Sequence, residues 1–157
     1  MPDLALPRQL HTIGQRASAE ASTRHASSVG AEHVLLAIAA DPEAPASRVL
    51  AEAGLDYPGL STALAEERMR SLAVADVAPI GPALLGAAPG PGKPGWGASV
   101  RDLLRAADKP AAKSGGPGAL ERELVVGILR AELGTVPRML AIAGVDRGVL
   151  VERLRSW

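Results

Sequence analysis

The sequence predicts an all-α protein built from two copies of one helical unit, and three observations carry that prediction. First, His33–Leu64 lies on Glu123–Leu154 at an offset of 90 residues without a gap. Ile38 meets Ile128, Arg48 meets Arg138, Leu50-Ala51 meets Leu140-Ala141, Ala53-Gly54 meets Ala143-Gly144, and Asp56 meets Asp146. A match of this length that preserves turn residues marks an internal repeat. Second, the apolar fraction of 47% comes from Ala, Leu and Val, with no Phe, one Tyr and two Trp. Small aliphatic side chains suit closely packed helices, whereas strands favour aromatic and β-branched residues. Third, apolar residues recur at three- and four-residue spacing along most of the chain.

In order, Pro7 suits the first turn of a helix that carries Leu10, Ile13, Ala17 and Ala21 on one face. Ala26-Ser27-Ser28 and Gly30 close it. A second helix starts near Ala31 with Val34, Leu35, Ile38 and Ala39 inward, and Asp41-Pro42-Glu43 breaks it. Pro45 opens a third, short helix with Val49, Leu50 and Ala53 on one face. Gly54 fits the left-handed position after it, and Asp56 fits the N-cap of a fourth, with Leu60 and Leu64 inward.

Ser71–Gly95, crowded with Pro and Gly, reads as an inter-repeat linker. Its Gly92-Lys93 resembles a phosphate-binding loop only superficially, because Ala87 and Pro94 stand where that loop needs Gly and Ser or Thr. The second unit repeats the plan. Val100, Leu103, Leu104 and Ala107 form its first helix, which Pro110 and Ser114–Gly118 should cut short. Leu120, Leu124, Val125, Ile128 and Leu129 define the second helix. Val136, Met139, Leu140 and Ala143 define the third, closed by Gly144. Asp146 caps the fourth, with Leu150 and Leu154 inward. The whole is one domain over 1–157: a first repeat at about 6–70, a linker at 71–95 and a degenerate second repeat at about 96–157.

Composition excludes several function classes. Without Cys there is neither disulfide nor thiolate metal site, and His11, His25 and His33 follow no metal-ligand spacing. No metal or cofactor is expected, and no motif supports an enzyme. Net charge is zero, too balanced for a nucleic-acid binder. It is unevenly spread: residues 1–78 hold six basic and ten acidic residues, residues 79–157 eleven and seven, which hints at docking between the halves or at two different surfaces. Met1-Pro2-Asp3-Leu4 is not a signal-peptide start, and the most apolar window, Leu72–Gly90, contains Asp76 and Pro79, Pro82 and Pro89. A cytoplasmic protein without a membrane span is expected.

The succession of a long helix, then Gly30-Ala31-Glu32-His33-Val34-Leu35-Leu36, then a short helix closed by Gly and followed by a capping Asp, resembles the N-terminal domain of bacterial Clp-type unfoldases such as ClpC and ClpA. The likeness spans nearly the whole chain, with Ala31 replacing the Thr of the family's Gly-Thr-Glu-His. The second copy departs further, with Leu120-Glu121-Arg122-Glu123 in that place. The resemblance implies an eight-helix, two-repeat, pseudo-twofold bundle without chemistry of its own. It implies a receptor for adaptors and substrates of the Clp proteolysis system, acting as adaptor, decoy or sequestering protein. In the ClpC branch the motif's Glu is associated with recognition of phosphorylated arginine, and cyclic peptide antibiotics bind the same domain. Partners would be a protein or peptide ligand, Clp ATPase or protease components, or such an antibiotic. No ATPase module follows in this sequence, so either an isolated domain of a longer protein or a naturally ATPase-free protein is expected, and the degenerate second copy favours the latter.

The candidate ligand-binding residues are Val29, Ala31, Glu32 and His33, with Glu121, Arg122 and Glu123 as degenerate equivalents. A carboxylate at a helix start sits in a favourable dipole field and can accept two N–H groups of a guanidinium. The same Glu32 reads equally as a first-turn residue that supports its helix. His33 reads as a packing or hydrogen-bonding residue at the head of a buried helix. Arg122 would repel a cationic ligand. Tyr57, Trp96 and Trp157 are possible anchors, with Trp96 expected to pack at the start of the second repeat. The alternative is a regulator that works through protein or DNA contacts unrelated to Clp, for which Arg147, Arg153 and Arg155 on the last helix are the only candidate surface.

Overall fold

The computed structural model describes residues 8–75, 95–116 and 118–156. Eight helices are present among them. The first repeat has α1 (Arg8–Thr23), α2 (Ala31–Ala39), α3 (Pro45–Glu52) and α4 (Tyr57–Val74). The second has α5 (Ala98–Ser114), α6 (Ala119–Leu129), α7 (Thr135–Ala143) and α8 (Arg147–Arg155). Arg8 against Ala98, Pro45 against Thr135 and Tyr57 against Arg147 all keep the 90-residue offset. The repeat therefore extends to the first helix of each unit, where few side chains betray it. The all-α class holds. The one departure is a two-residue parallel pair, β1 (Ser28–Val29) with β2 (Gly95–Trp96), which joins the start of the second repeat to the first.

Local chemistry sets the helix ends. Pro45 occupies the first position of α3. Gly54 at φ +78° and Gly144 at φ +70° take the left-handed conformation that ends α3 and α7. Asp56 Oδ1 accepts the Gly59 N–H at 2.9 Å; Asp146 Oδ1 accepts those of Gly148 and Val149 at 2.9 and 3.2 Å. Two boundaries differ from expectation. The fourth helix runs to Val74, past the expected start of the linker at Ser71, and Gly95 at its other end is already paired in β2. The remainder of that linker, 76–94, lies outside the described residues, as does Pro7. Pro110 also fails to cut α5, which continues to Ser114. Pro110 removes one N–H, but Val100, Leu104, Ala107 and Ala111 form a continuous buried face against α6 on either side of it. The break falls instead at Gly115, Gly116 and Gly118, all at positive φ.

One core runs through both repeats. Leu10, Leu35, Leu36, Ile38, Leu50, Leu55 and Leu60 meet Leu124, Ile128, Leu129, Met139 and Leu140, all with less than 2% exposure. The packing is reciprocal: α4 of the first repeat lies on α7 of the second, α8 lies on α3, and α2 touches α6. Each repeat thus covers the other's third helix, the arrangement a pseudo-twofold axis imposes. The opposite charges of the halves meet at two places. Arg138 Nε lies 2.7 Å from Glu67 Oε1, and Arg153 Nη1 lies 3.8 Å from Glu52 Oε2. Trp96 packs at the start of the second repeat, as expected, and reaches across to the first. A Cβ on Gly14 of α1 would stand only 3.2 Å from its Cη2.

Candidate functional site

The head of α2 is built from Val29-Gly30-Ala31-Glu32-His33. Val29 is wholly buried in β1, and its carbonyl accepts the Gly97 N–H at 3.2 Å. Gly30 is the N-cap residue. It has no side chain to offer the helix, and a Cβ there would collide with the Glu32 carboxylate. The cap is completed from the other direction: His33 Nδ1 accepts the Gly30 N–H at 2.9 Å, the reciprocal half of a capping box. That bond fixes the neutral tautomer with its proton on Nε2. The ring is 3% exposed. Burial pushes the His33 pKa below its ordinary value; Glu32 and Glu20 oppose the shift, while Arg24 and Arg68 reinforce it. The hydrogen-bonding reading of His33 is the one observed.

Ala31 is half-buried at the first helical position. Glu32, at the second, curls back over Gly30. Its side chain is 20% exposed, and Oε1 stands 3.8 Å from the neutral Nδ1 of His33. Among the described residues no Lys or Arg pairs with it. The site thus holds an accessible carboxylate on a helix start.

Beside it, α1 and α4 are joined by a polar network that sequence reading missed. The guanidinium of Arg24, the residue after α1, pairs with Glu20 of that helix and donates to Ser61 Oγ at 3.1 Å and Tyr57 Oη at 3.4 Å. It sits 5.9 Å from the Tyr57 ring centre, and Tyr57 Oη donates to Glu20 at 3.0 Å. These contacts raise the Arg24 pKa against the opposing effect of its partial burial. Arg68 donates to the Arg24 carbonyl at 3.2 Å and pairs with no carboxylate among the described residues. The spacing of Glu20 and Arg24, four apart at the end of α1, was the available signal. Tyr57 is therefore an internal ligand of Arg24 rather than a free anchor.

The second copy does not reproduce this head. Gly118, at φ +78°, turns the chain into α6 at Ala119, so Glu121 is the third helical residue and Arg122 the fourth. The position matching Gly30 is Leu120, which is buried. Arg122 Nε lies 3.7 Å from Glu123 Oε1, and both are largely covered. Glu121 Oε2 is buried without a hydrogen-bond partner. The expected equivalents therefore stand two positions further into the helix, and Arg122 and Glu123 pair with each other. The network residues Glu20, Arg24, Tyr57 and Ser61 have Pro110, Ser114, Arg147 and Val151 in their places. Arg147 donates to the carbonyls of Leu129 and Ala131 at the end of α6, so it serves the fold rather than an exposed basic face.

Among the described residues no cluster of His, Asp or Glu could hold a metal ion, and no helix is long and apolar enough to cross a membrane.

The fold and this site define an all-α double-repeat domain with one chemically distinct helix head. The Clp repeat (R) N-terminal domain pattern matches residues 7–85, half of the chain, and the chain belongs to that family. It is a Clp-type protein-interaction module, a kind of domain that is not itself catalytic. No curated protein matches the chain.

Proposed function

We propose that the chain is a peptide or protein receptor of the Clp proteolysis system, an adaptor, decoy or sequestering protein, that takes a guanidinium-bearing group, phosphorylated arginine above all, at the first repeat alone. The observation that carries this reading is the Glu32 carboxylate, partly exposed, unpaired with any described Lys or Arg, and held at the start of α2. A phosphoarginine side chain carries a cationic donor fork and an anionic phosphate. Glu32 supplies an acceptor for the first, and Arg68 supplies a guanidinium for the second; the charges of both reach His33. Val29, Ala31 and His33 act as the scaffold that aims Glu32. Glu121, Arg122 and Glu123 take no part.

Titration calorimetry with free phosphoarginine tests the reading. A charge-assisted hydrogen bond contributes about 1.5–3 kcal/mol, so Glu32→Gln should weaken binding by roughly ten- to a hundredfold. Arg122→Ala should leave it unchanged. Absence of phosphoarginine binding, together with equal binding of an apolar cyclic peptide by parent and Glu32→Gln, would transfer the function to apolar surface and overturn the reading.

A further inference from the structure

The pseudo-twofold arrangement gives the Arg138–Glu67 contact a sister position, and the two differ in charge. In the cleft between α7 and α4, Arg138 on α7 meets Glu67 of α4; the carboxylate side chain is 6% exposed and also accepts the Ser71 hydroxyl at 2.6 Å. The sister groove lies between α3 and α8. Arg48 stands there in the place of Arg138, and position 157, which matches Glu67, is Trp, a side chain without a carboxylate. The groove has a volume of about 400 Å3 and is lined by Pro45, Arg48, Val49, Glu52, Arg153 and Ser156. Arg48 is exposed and forms no ion pair with any described residue. Arg153 adds a second guanidinium. Its contact with Glu52, at 3.8 Å with side chains 53% and 68% exposed, is a screened surface pair of little strength. Two guanidiniums against one carboxylate leave the groove cationic, and Pro45 and Val49 give it an apolar wall.

We propose that this groove docks an acidic peptide segment, with one side-chain carboxylate forked by Arg48 where Glu67 serves Arg138 in the sister cleft, and with Arg153 adding positive potential. The planar guanidinium matches a carboxylate through two parallel N–H bonds, a geometry an ammonium does not offer. Flanking aliphatic side chains of the peptide lie against Pro45 and Val49. The site is separate from Glu32 and does not depend on it.

The test is an NMR titration that observes the arginine Nε–H signals of the whole protein. The probe is a capped pentapeptide with a central glutamate between two leucines, run beside its glutamine counterpart. The Arg48 signal should move saturably with the glutamate peptide. Affinity should fall by about tenfold or more for the glutamine peptide and for Arg48→Gln, as expected when one charge-assisted pair is lost. Arg48 is exposed, and circular dichroism checks that the helices persist in Arg48→Gln. An unmoved Arg48 signal, equal affinity for both peptides, or unchanged binding by Arg48→Gln overturns the proposal.

Discussion

Arg138 Nε and Glu67 Oε1, 71 residues apart in the chain, are joined by a 2.7 Å hydrogen bond that ties the second repeat to the first. The two ends of this bond are unequal. The Glu67 side chain is 6% exposed, whereas that of Arg138 is 57% exposed. Removing the arginine strands a covered carboxylate; removing the carboxylate frees an arginine that water already reaches.

Arg138→Ala should therefore destabilise the domain by about 1–2 kcal/mol, the lower part of the range for an uncompensated polar group because solvent reaches one partner. Glu67→Gln should cost less, and the double variant should recover part of the Arg138→Ala loss. Urea unfolding of the four proteins reads the coupling directly. A Glu67→Gln cost larger than that of Arg138→Ala would contradict the burial argument.

The His33 ring gives the domain a pH dependence of definite sign. Its folded pKa lies below its ordinary value, so the unfolded chain binds the proton more readily. The stability it contributes is present above about pH 6.5, the unfolded value, and is lost as pH falls toward the folded pKa. Protonation would also place a second proton on Nδ1, the atom that accepts the Gly30 N–H. Melting temperatures of parent and His33→Gln between pH 7.5 and 5 should converge as pH falls. A parallel decline in both would remove His33 from the explanation.

Gly14 sits on the buried face of α1 under the Trp96 ring, with Cη2 and Cζ2 at 3.2 and 3.3 Å from where a Cβ would stand. Gly14→Val would force the ring away and cost about 1–3 kcal/mol, the usual range for overpacking, despite the better helix propensity of Val than Gly. Indole fluorescence in a Trp157→Phe background should shift to the red as Trp96 gains solvent. A stabilised protein with unchanged emission would show that the ring is not clamped there.

Pro110 offers a stabilising substitution. It lies inside α5 on an exposed face, where it removes one backbone hydrogen bond that the buried face of the helix tolerates. Pro110→Ala should raise stability by roughly 1–3 kcal/mol, as restoration of a helix-interior N–H implies. Thermal denaturation measures it; a lower melting temperature would mean that the proline shapes the turn at Gly115.

These relationships divide into those that sequence makes legible and those that it does not. Gly54, Asp56, Gly144 and Asp146 announce their turns because the chemistry is local: a left-handed φ and a side-chain cap each involve residues a few positions apart. Leu10, Ile13, Ala17 and Ala21 announce a buried face by spacing alone. Pro110 misleads because propensity is weaker than the packing of Leu104, Ala107 and Ala111 around it. Arg122 misleads because alignment matches residues and not helix starts; the glycines before Ala119 move the start of α6. Glu67 with Arg138, and Arg24 with Tyr57 and Ser61, join residues that no period connects. The family pattern and the motif at Gly30–Leu36 pointed to the head of α2, but only geometry shows Glu32 without a basic partner among the described residues and Arg122 paired with Glu123.

The Arg122–Glu123 pair has a consequence for valency. A duplicated domain begins with two equal sockets, and two equal sockets let one molecule hold two ligands or cross-link two partners. On the reading proposed for Glu32, the second repeat offers no such socket: Arg122 and Glu123 pair with each other, and the helix starts two positions earlier. A guanidinium-bearing ligand bound through Glu32 would be counted one per chain. Avidity would then have to come from assembly of several chains, because the internal repeat no longer provides it.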